Sequence, residues 1–268
     1  MIEIAISLAV IAFALVAIIG VLPTGMTVQK DNREETIINQ DGPFFLEAIR
    51  NGAKGLDYLT NHVDSITHRR RGTTNGAIID ETIKYTNAPG LFAVQPDGSL
   101  LDGSMTNGLK IIGLLSNARY DGEPTNPTNR VTNSISARVR ALTGSATEQG
   151  QANPDFAFSY RLESEITPFI TGQVPVSSTN YNFDNETPPL DLAQSASLKS
   201  IRTIEWKKVK NRETNTFEVR LIFKWPLFQN TNGPNRQSVR TLVTGSRTNV
   251  EGLDFFQPQS FVAATNVP

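Results

Sequence analysis

Hydrophobic and polar positions follow three different rhythms along this chain. From Ile4 to Leu22 there is no alternation: apolar and small residues fill every side, and Glu3 is the one charge between Met1 and Val28. At 1.5 Å per residue, about 20 such residues cross the hydrocarbon core of a bilayer. A helix of a soluble domain keeps a polar face. An all-round apolar run therefore predicts a helix made for lipid or for other helices.

The second rhythm has helical spacing. Met26, Val28, Ile37 and Ile38 interleave with Lys30, Asp31, Arg33, Glu34 and Glu35, the pattern of an amphipathic helix entering water. It is expected to end near Asp41-Gly42-Pro43. Pro43 can open a new helix, because a first helical turn needs no N–H there. Phe44, Phe45, Leu46 and Ile49 give that helix an apolar face. Further helices are predicted from Leu56 to Thr67, with Leu59 and Val63 inward, and from Leu109 to Leu115. Val131, Ile135 and Val139, recurring every fourth residue, predict another.

The third rhythm is strict alternation, and it comes late. Phe156, Phe158, Tyr160 and Leu162 alternate with Ala157, Ser159 and Arg161. Ile204-Glu205-Trp206-Lys207 does the same. Phe217, Val219, Leu221, Phe223 and Trp225 form the clearest strand, Ser238 to Thr244 a further one, and Asn211 to Asn215 a hairpin between strands. The expectation is an α+β chain: a long hydrophobic N-terminal helix (1–41) packed on an antiparallel sheet in a head (42–268), one sheet face buried and the other charged.

Composition narrows the chemistry. The 268 residues suit one anchoring segment and one globular domain, and a net charge of −1 gives no bulk basic field, so nucleic acid is not an expected partner. Absence of cysteine excludes disulfides and thiolate metal sites. No cofactor is expected. His62, Asp64 and His68 fall in the helix predicted from Leu56 to about Thr67; His68 follows Asp64 at i+4, but a metal needs a third ligand and none is nearby, so Arg69-Arg70-Arg71 reads as a helix C-terminus complementing the dipole. Pro96-Asp97-Gly98 and Leu101-Asp102-Gly103 are turn sequences with too few carboxylates for a calcium loop. Pro188-Pro189 and Asn230-Thr231-Asn232-Gly233-Pro234 read as loops, and Asn185-Glu186-Thr187 has the glycan-acceptor pattern. Glu163 and Glu165 share a strand face, as solvated carboxylates do routinely. No nucleophile elbow, phosphate loop, zinc helix or dinucleotide fingerprint is visible, and the chain reads as no enzyme.

The start Met1-Ile2-Glu3-Ile4-Ala5 resembles the N-terminus of type IV pilins and of type II secretion pseudopilins. Ile11-Ala12-Phe13-Ala14-Leu15-Val16-Ala17-Ile18 and Leu22-Pro23-Thr24-Gly25 continue the resemblance, and Phe223-Lys224-Trp225-Pro226 is similar to the strand end of large pilin-like proteins. The resemblance implies a structural subunit that waits in the inner membrane and then polymerises into an extracellular or periplasmic filament. It implies copies of itself, the pilus or secretion assembly machinery and a prepilin peptidase as partners. The assembly residues it implies are Glu3, Ile4, Ile6, Leu8, Phe13, Leu15, Gly20, Pro23 and Gly25. The family Glu stands fifth in the mature chain and here third, which implies that two residues and a basic leader ending in Gly precede Met1.

A carboxylate in hydrocarbon costs about 2.5–3.5 kcal/mol on insertion scales. In the family the positive N-terminus of a neighbouring subunit offsets that cost and fixes register; a Glu in the headgroups is the plainer alternative. Gly20, Pro23 and Gly25 read equally as a segment that loosens on assembly or as a helix end at the membrane exit. Two other classes remain: an anchored binding module that never polymerises, and a tethered hydrolase.

Overall fold

The computed structural model describes residues 2–52, 56–74, 76–86, 93–94, 100–101, 105, 107–122, 130–143, 158–169, 201, 208–209, 211–212, 214–228, 231–250 and 253–261. An N-terminal helix and an antiparallel sheet domain make it α+β. Contacts divide the chain into two units, 1–41 with 141–158 and 42–140 with 159–268.

Helix α1 runs from Ile2 to Asn51 without a break. It passes through Gly20, Pro23 and Gly25, so no helix end falls there, and it passes through Gly42-Pro43, where a break was expected. Proline inside a helix costs roughly 3 kcal/mol. Burial of Phe45, Ala48 and Ile49 on the next turns offsets it, since each large apolar side chain contributes about 1.5–3 kcal/mol. Gly42 acts in packing rather than as a breaker: a Cβ there would lie 3.2 Å from Val239 Cγ2 and 3.6 Å from the Phe223 ring. The helix ends at Gly52, whose φ of 73° is the left-handed conformation that glycine adopts freely.

The sheet has the order β2-β1-β6-β7-β8-β9, with β5 paired to the start of β6. Its strands are β1 (Val63–Thr74), β2 (Ala77–Thr86), β5 (Tyr120–Gly122), β6 (Arg130–Arg140), β7 (Ser159–Pro168), β8 (Thr216–Phe228) and β9 (Thr231–Thr244), all antiparallel. Two small ribbons complete the strands, β3 (Ala93–Val94) with β4 (Leu100–Leu101), and β10 (Ser246–Val250) with β11 (Leu253–Gln257). Helix α2 (Gly108–Leu115) stands where the sequence puts one. Asn107 caps it, its side chain accepting from Lys110 N at 2.9 Å, and Ser164 Oγ donates to Leu115 O at 2.5 Å.

Two predicted helices are strands. The segment from Leu56 makes one 3-10 turn (Asp57–Asn61) and then becomes β1. Thr74 pairs with Ala77, and Gly76 before it has φ 80°; Asn-Gly in the sequence is a strong hairpin signal. The stretch around Val131, Ile135 and Val139 is β6. Four residues is one helical turn but also two strand periods, and Asn133 and Ala137 between them are buried too. Arg69, Arg70 and Arg71 consequently do not end a helix: Arg69 and Arg71 pair with Asp80 at 3.4 and 3.0 Å, and Arg70 with Glu81 at 3.2 Å.

The late strands match their alternation. β7 begins at Ser159, β8 covers Phe217 to Trp225, and β9 is longer than Ser238–Thr244, reaching back into the expected loop at 231–234. Asn211, Arg212, Thr214 and Asn215 are helical rather than a hairpin. Phe156-Ala157, the strand at 204–207, the Pro-Pro loop, the glycan pattern and both Asp-Gly turns lie outside the described residues. Tyr160, Leu162, Ile166, Val219, Leu221 and Phe223 are fully buried on one face of the sheet.

Candidate assembly helix

All nine residues implied for assembly lie on α1. Glu3 is in its first turn, where the helix dipole favours a negative charge. Ser7 Oγ donates to Glu3 O at 2.8 Å, so that hydroxyl is satisfied within the helix. Ile4, Ile6, Leu8, Phe13 and Leu15 are all more than half exposed, from 53% at Leu15 to 79% at Phe13. Gly20 and Gly25 have open space where a side chain would stand. Pro23 falls inside the continuous helix.

This is the one helix among the described residues long and apolar enough to cross a membrane, and its most apolar stretch has a mean hydropathy of 3.0 with none of it buried within the chain. Its sides differ in texture. Ile4, Leu8, Ile11, Leu15, Ile18 and Leu22 recur at alternating steps of four and three, forming one bulky seam. Ala5, Ala9 and Ala12 form a small-residue stripe on a neighbouring side by the same spacing, allowing close approach of another helix. The bulky seam was legible in the sequence once the run was treated as one helix.

A buried carboxylate went unread. Asp41 is fully buried; its carboxylate accepts from Leu142 N at 3.0 Å and from Thr143 Oγ1 at 2.8 Å. Ile37, Ala141 and Phe158 pack beside one another in the same unit, and Ala141 N donates to Phe158 O at 2.9 Å. In sequence, Asp41-Gly42-Pro43 reads as a stop. The spacing of Ile37, Asp41, Phe45 and Ile49 at steps of four was the signal that placed this acid in an inward stripe.

The two histidines do not converge with Asp64. His62 meets the Tyr58 ring edge-on, Asp64 pairs with Arg140 at 2.9 Å and Arg138 at 3.6 Å, and His68 lies on the buried face. His68 Nε2 is 3.1 Å from Asn133 Oδ1, and Asn133 Nδ2 donates to Ala118 O at 2.9 Å. With Asn133 so oriented its oxygen must accept, which makes His68 Nε2 the protonated nitrogen. Burial pushes the imidazole below its ordinary pKa, against the pull of the Asn133 bond. Glu163 and Glu165 are partnered, Glu163 by Lys224 at 2.6 Å and Glu165 by Arg119 at 3.5 Å and Arg220 at 3.7 Å. Among the described residues no three His, Cys, Asp or Glu side chains gather as a metal site.

No family model, curated protein or solved structure matches this chain.

Proposed function

We propose that this chain is the structural subunit of a type IV pilus-like or pseudopilus filament, polymerising through the first half of α1. The observation that carries the reading is a stretch of α1, long enough to cross a membrane, whose described large side chains from Ile2 to Val28 are all exposed. A lone lipid anchor needs only apolarity, because lipid already solvates it. Association between such helices depends on close packing and on paired polar groups. The bulky seam, the Ala5-Ala9-Ala12 stripe and the single acid at Glu3 supply both. The subunit waits in the inner membrane, is processed by a prepilin peptidase, and moves with the assembly machinery into an extracellular or periplasmic filament. Glu3 pairs there with a neighbour's positive N-terminus, which removes the cost of a carboxylate in hydrocarbon.

Electron microscopy of the sheared surface fraction tests this. The unsubstituted chain should give helical fibres. Glu3→Ala should abolish them while leaving the chain in the membrane, because removing one charge does not weaken insertion. Equal fibre yield from Glu3→Ala, or no fibres from the unsubstituted chain, overturns the reading in favour of an anchored module.

A further inference from the structure

The solvent face of the sheet carries a row of like charges that its fold does not explain. Register places Arg138 of β6 opposite Arg161 of β7, Arg161 opposite Lys224 of β8, and Lys224 opposite Arg236 of β9. Directly opposed residues share a face, so four cations stand side by side across four neighbouring strands. At about 4.8 Å between strands the row spans roughly 14 Å. Like charges directly opposite one another destabilise a sheet. A chain with net charge −1 has carboxylates enough to alternate them here. Sites that break a local rule without gain to the fold are where function is expected.

The neighbouring acids compensate the row only in part. Asp64 is shared between Arg138 and Arg140. Glu163 holds Lys224 at 2.6 Å. Arg161 and Arg236 have no ion pair among the described residues, and Arg138 and Arg236 are exposed. The next row along the strands is Ser136, Glu163, Ile222 and Ser238. Beside the cations it therefore sets hydroxyls, one acid already paired and one buried isoleucine.

We propose that this row is a docking surface for an anionic polysaccharide of the polyuronate type, laid across the strands. Each guanidinium presents parallel N–H groups that match a carboxylate in a two-point contact. An uronate polymer carries one acid on each sugar ring, a repeat suited to cations one strand apart. Ser136 and Ser238 flank the row and offer hydrogen bonds to ring hydroxyls. The chemistry of the face disfavours single-stranded nucleic acid, which needs aromatic platforms for its bases: Tyr160, Phe217, Phe223 and Trp225 are all buried on the opposite face. Binding here requires no assembly of copies and is independent of the filament reading.

The test uses the full chain in non-ionic detergent over immobilised polygalacturonate at low salt, with dextran and a single-stranded DNA of equal charge as parallel surfaces. The unsubstituted chain should bind polygalacturonate, bind it less as salt rises, and ignore dextran. Arg161→Ser with Arg236→Ser should weaken binding about tenfold, as expected for two charge contacts, one half-buried and one exposed. The same double variant should melt no lower than the parent, because it removes repulsion between strands. Glu163→Gln releases Lys224 from its partner and should tighten binding about threefold. The proposal is overturned if the double variant binds as the parent does, if Glu163→Gln weakens binding, if dextran is retained equally, or if DNA binds and polygalacturonate does not.

Discussion

The first half of α1 and strand β8 use the same kinds of side chain to opposite ends. In β8, Phe217, Val219, Leu221 and Phe223 are buried while Glu218, Arg220 and Lys224 stand between them on the other face. Alternation lets one element serve core and solvent together. In α1, Ile4, Leu8, Phe13 and Leu15 have no polar counterpart and none is buried. Apolar surface of that extent is not stable in water. The head can complete its core from its own chain. The first half of α1 must take its partners from lipid or from other helices.

Substitution of one aromatic in each region should break the symmetry most plainly. Phe223→Ala removes a fully buried ring that lies 5.5 Å from the Tyr160 ring, and should cost the head about 3–5 kcal/mol in denaturant unfolding of the detergent-solubilised chain. Phe13→Ala should change the same quantity by no more than about 0.5 kcal/mol. Comparable losses at both positions would mean that the helix also buries its apolar side chains within a single chain.

Asp41→Ala comes next. It strips the acceptors from Leu142 N and Thr143 Oγ1 and should destabilise the chain by about 1–3 kcal/mol, read from the same unfolding curves. Asp41→Asn, which keeps an acceptor oxygen, should lose less.

Glycines sharpen the contrast at a smaller scale. Gly42→Val forces a branched side chain toward Val239 and Phe223 and should cost about 1–3 kcal/mol. Gly25→Ala meets open space and should favour the helix by about 0.5–1 kcal/mol, seen as slower amide exchange around residue 25 with the head's melting unchanged.

Much of this architecture is written in the sequence, and the misreadings have physical causes. The apolar run of α1 and β8 were legible because each repeats one rhythm over many residues; the continuation of α1 through Gly42-Pro43 to Asn51 was not. β6 was not, since Val131, Ile135 and Val139 satisfy helix and strand periods alike; Asn133 and Ala137, buried between them, are too polar and too small to register as apolar positions. β1 hides for a similar reason. Its inward residues include His68 and Arg70 next to Ile66, and a shift of register between Val63 and Ser65 interrupts its alternation. Asp41 was missed because Asp-Gly-Pro reads as a stop, whereas its carboxylate is held inside by Leu142 and Thr143, about a hundred residues away in sequence. The cation row was invisible for the opposite reason. Arg138, Arg161, Lys224 and Arg236 come from four separate strands, and only the register brings them together.

The smallest effect is a pH dependence confined to the head. Arg70 on β1, Glu81 on β2, Asp121 on β5 and Asn133 on β6 surround His68, and burial is the largest influence on it. Its folded pKa lies below the ordinary 6.5, so just below that pH the unfolded chain binds more protons than the folded one. The stability from neutral His68 is complete above about 6.5 and is lost as pH falls from there through the lower folded value. Unfolding free energies measured downward from pH 7 should decline, and His68→Gln should flatten that slope. An unchanged slope would assign the decline to carboxylates.

The central claim is that the exposed first half of α1, its small-residue stripe included, is covered by other copies. Because the chain has no cysteine, a single Ala9→Cys substitution reports only contacts between chains. Oxidative cross-linking of the surface fraction should give covalent dimers through Cys at that position, lost when Glu3→Ala is combined with it. If Ala9→Cys chains remain monomeric under oxidation at native abundance, the helix faces lipid alone and the filament account is wrong.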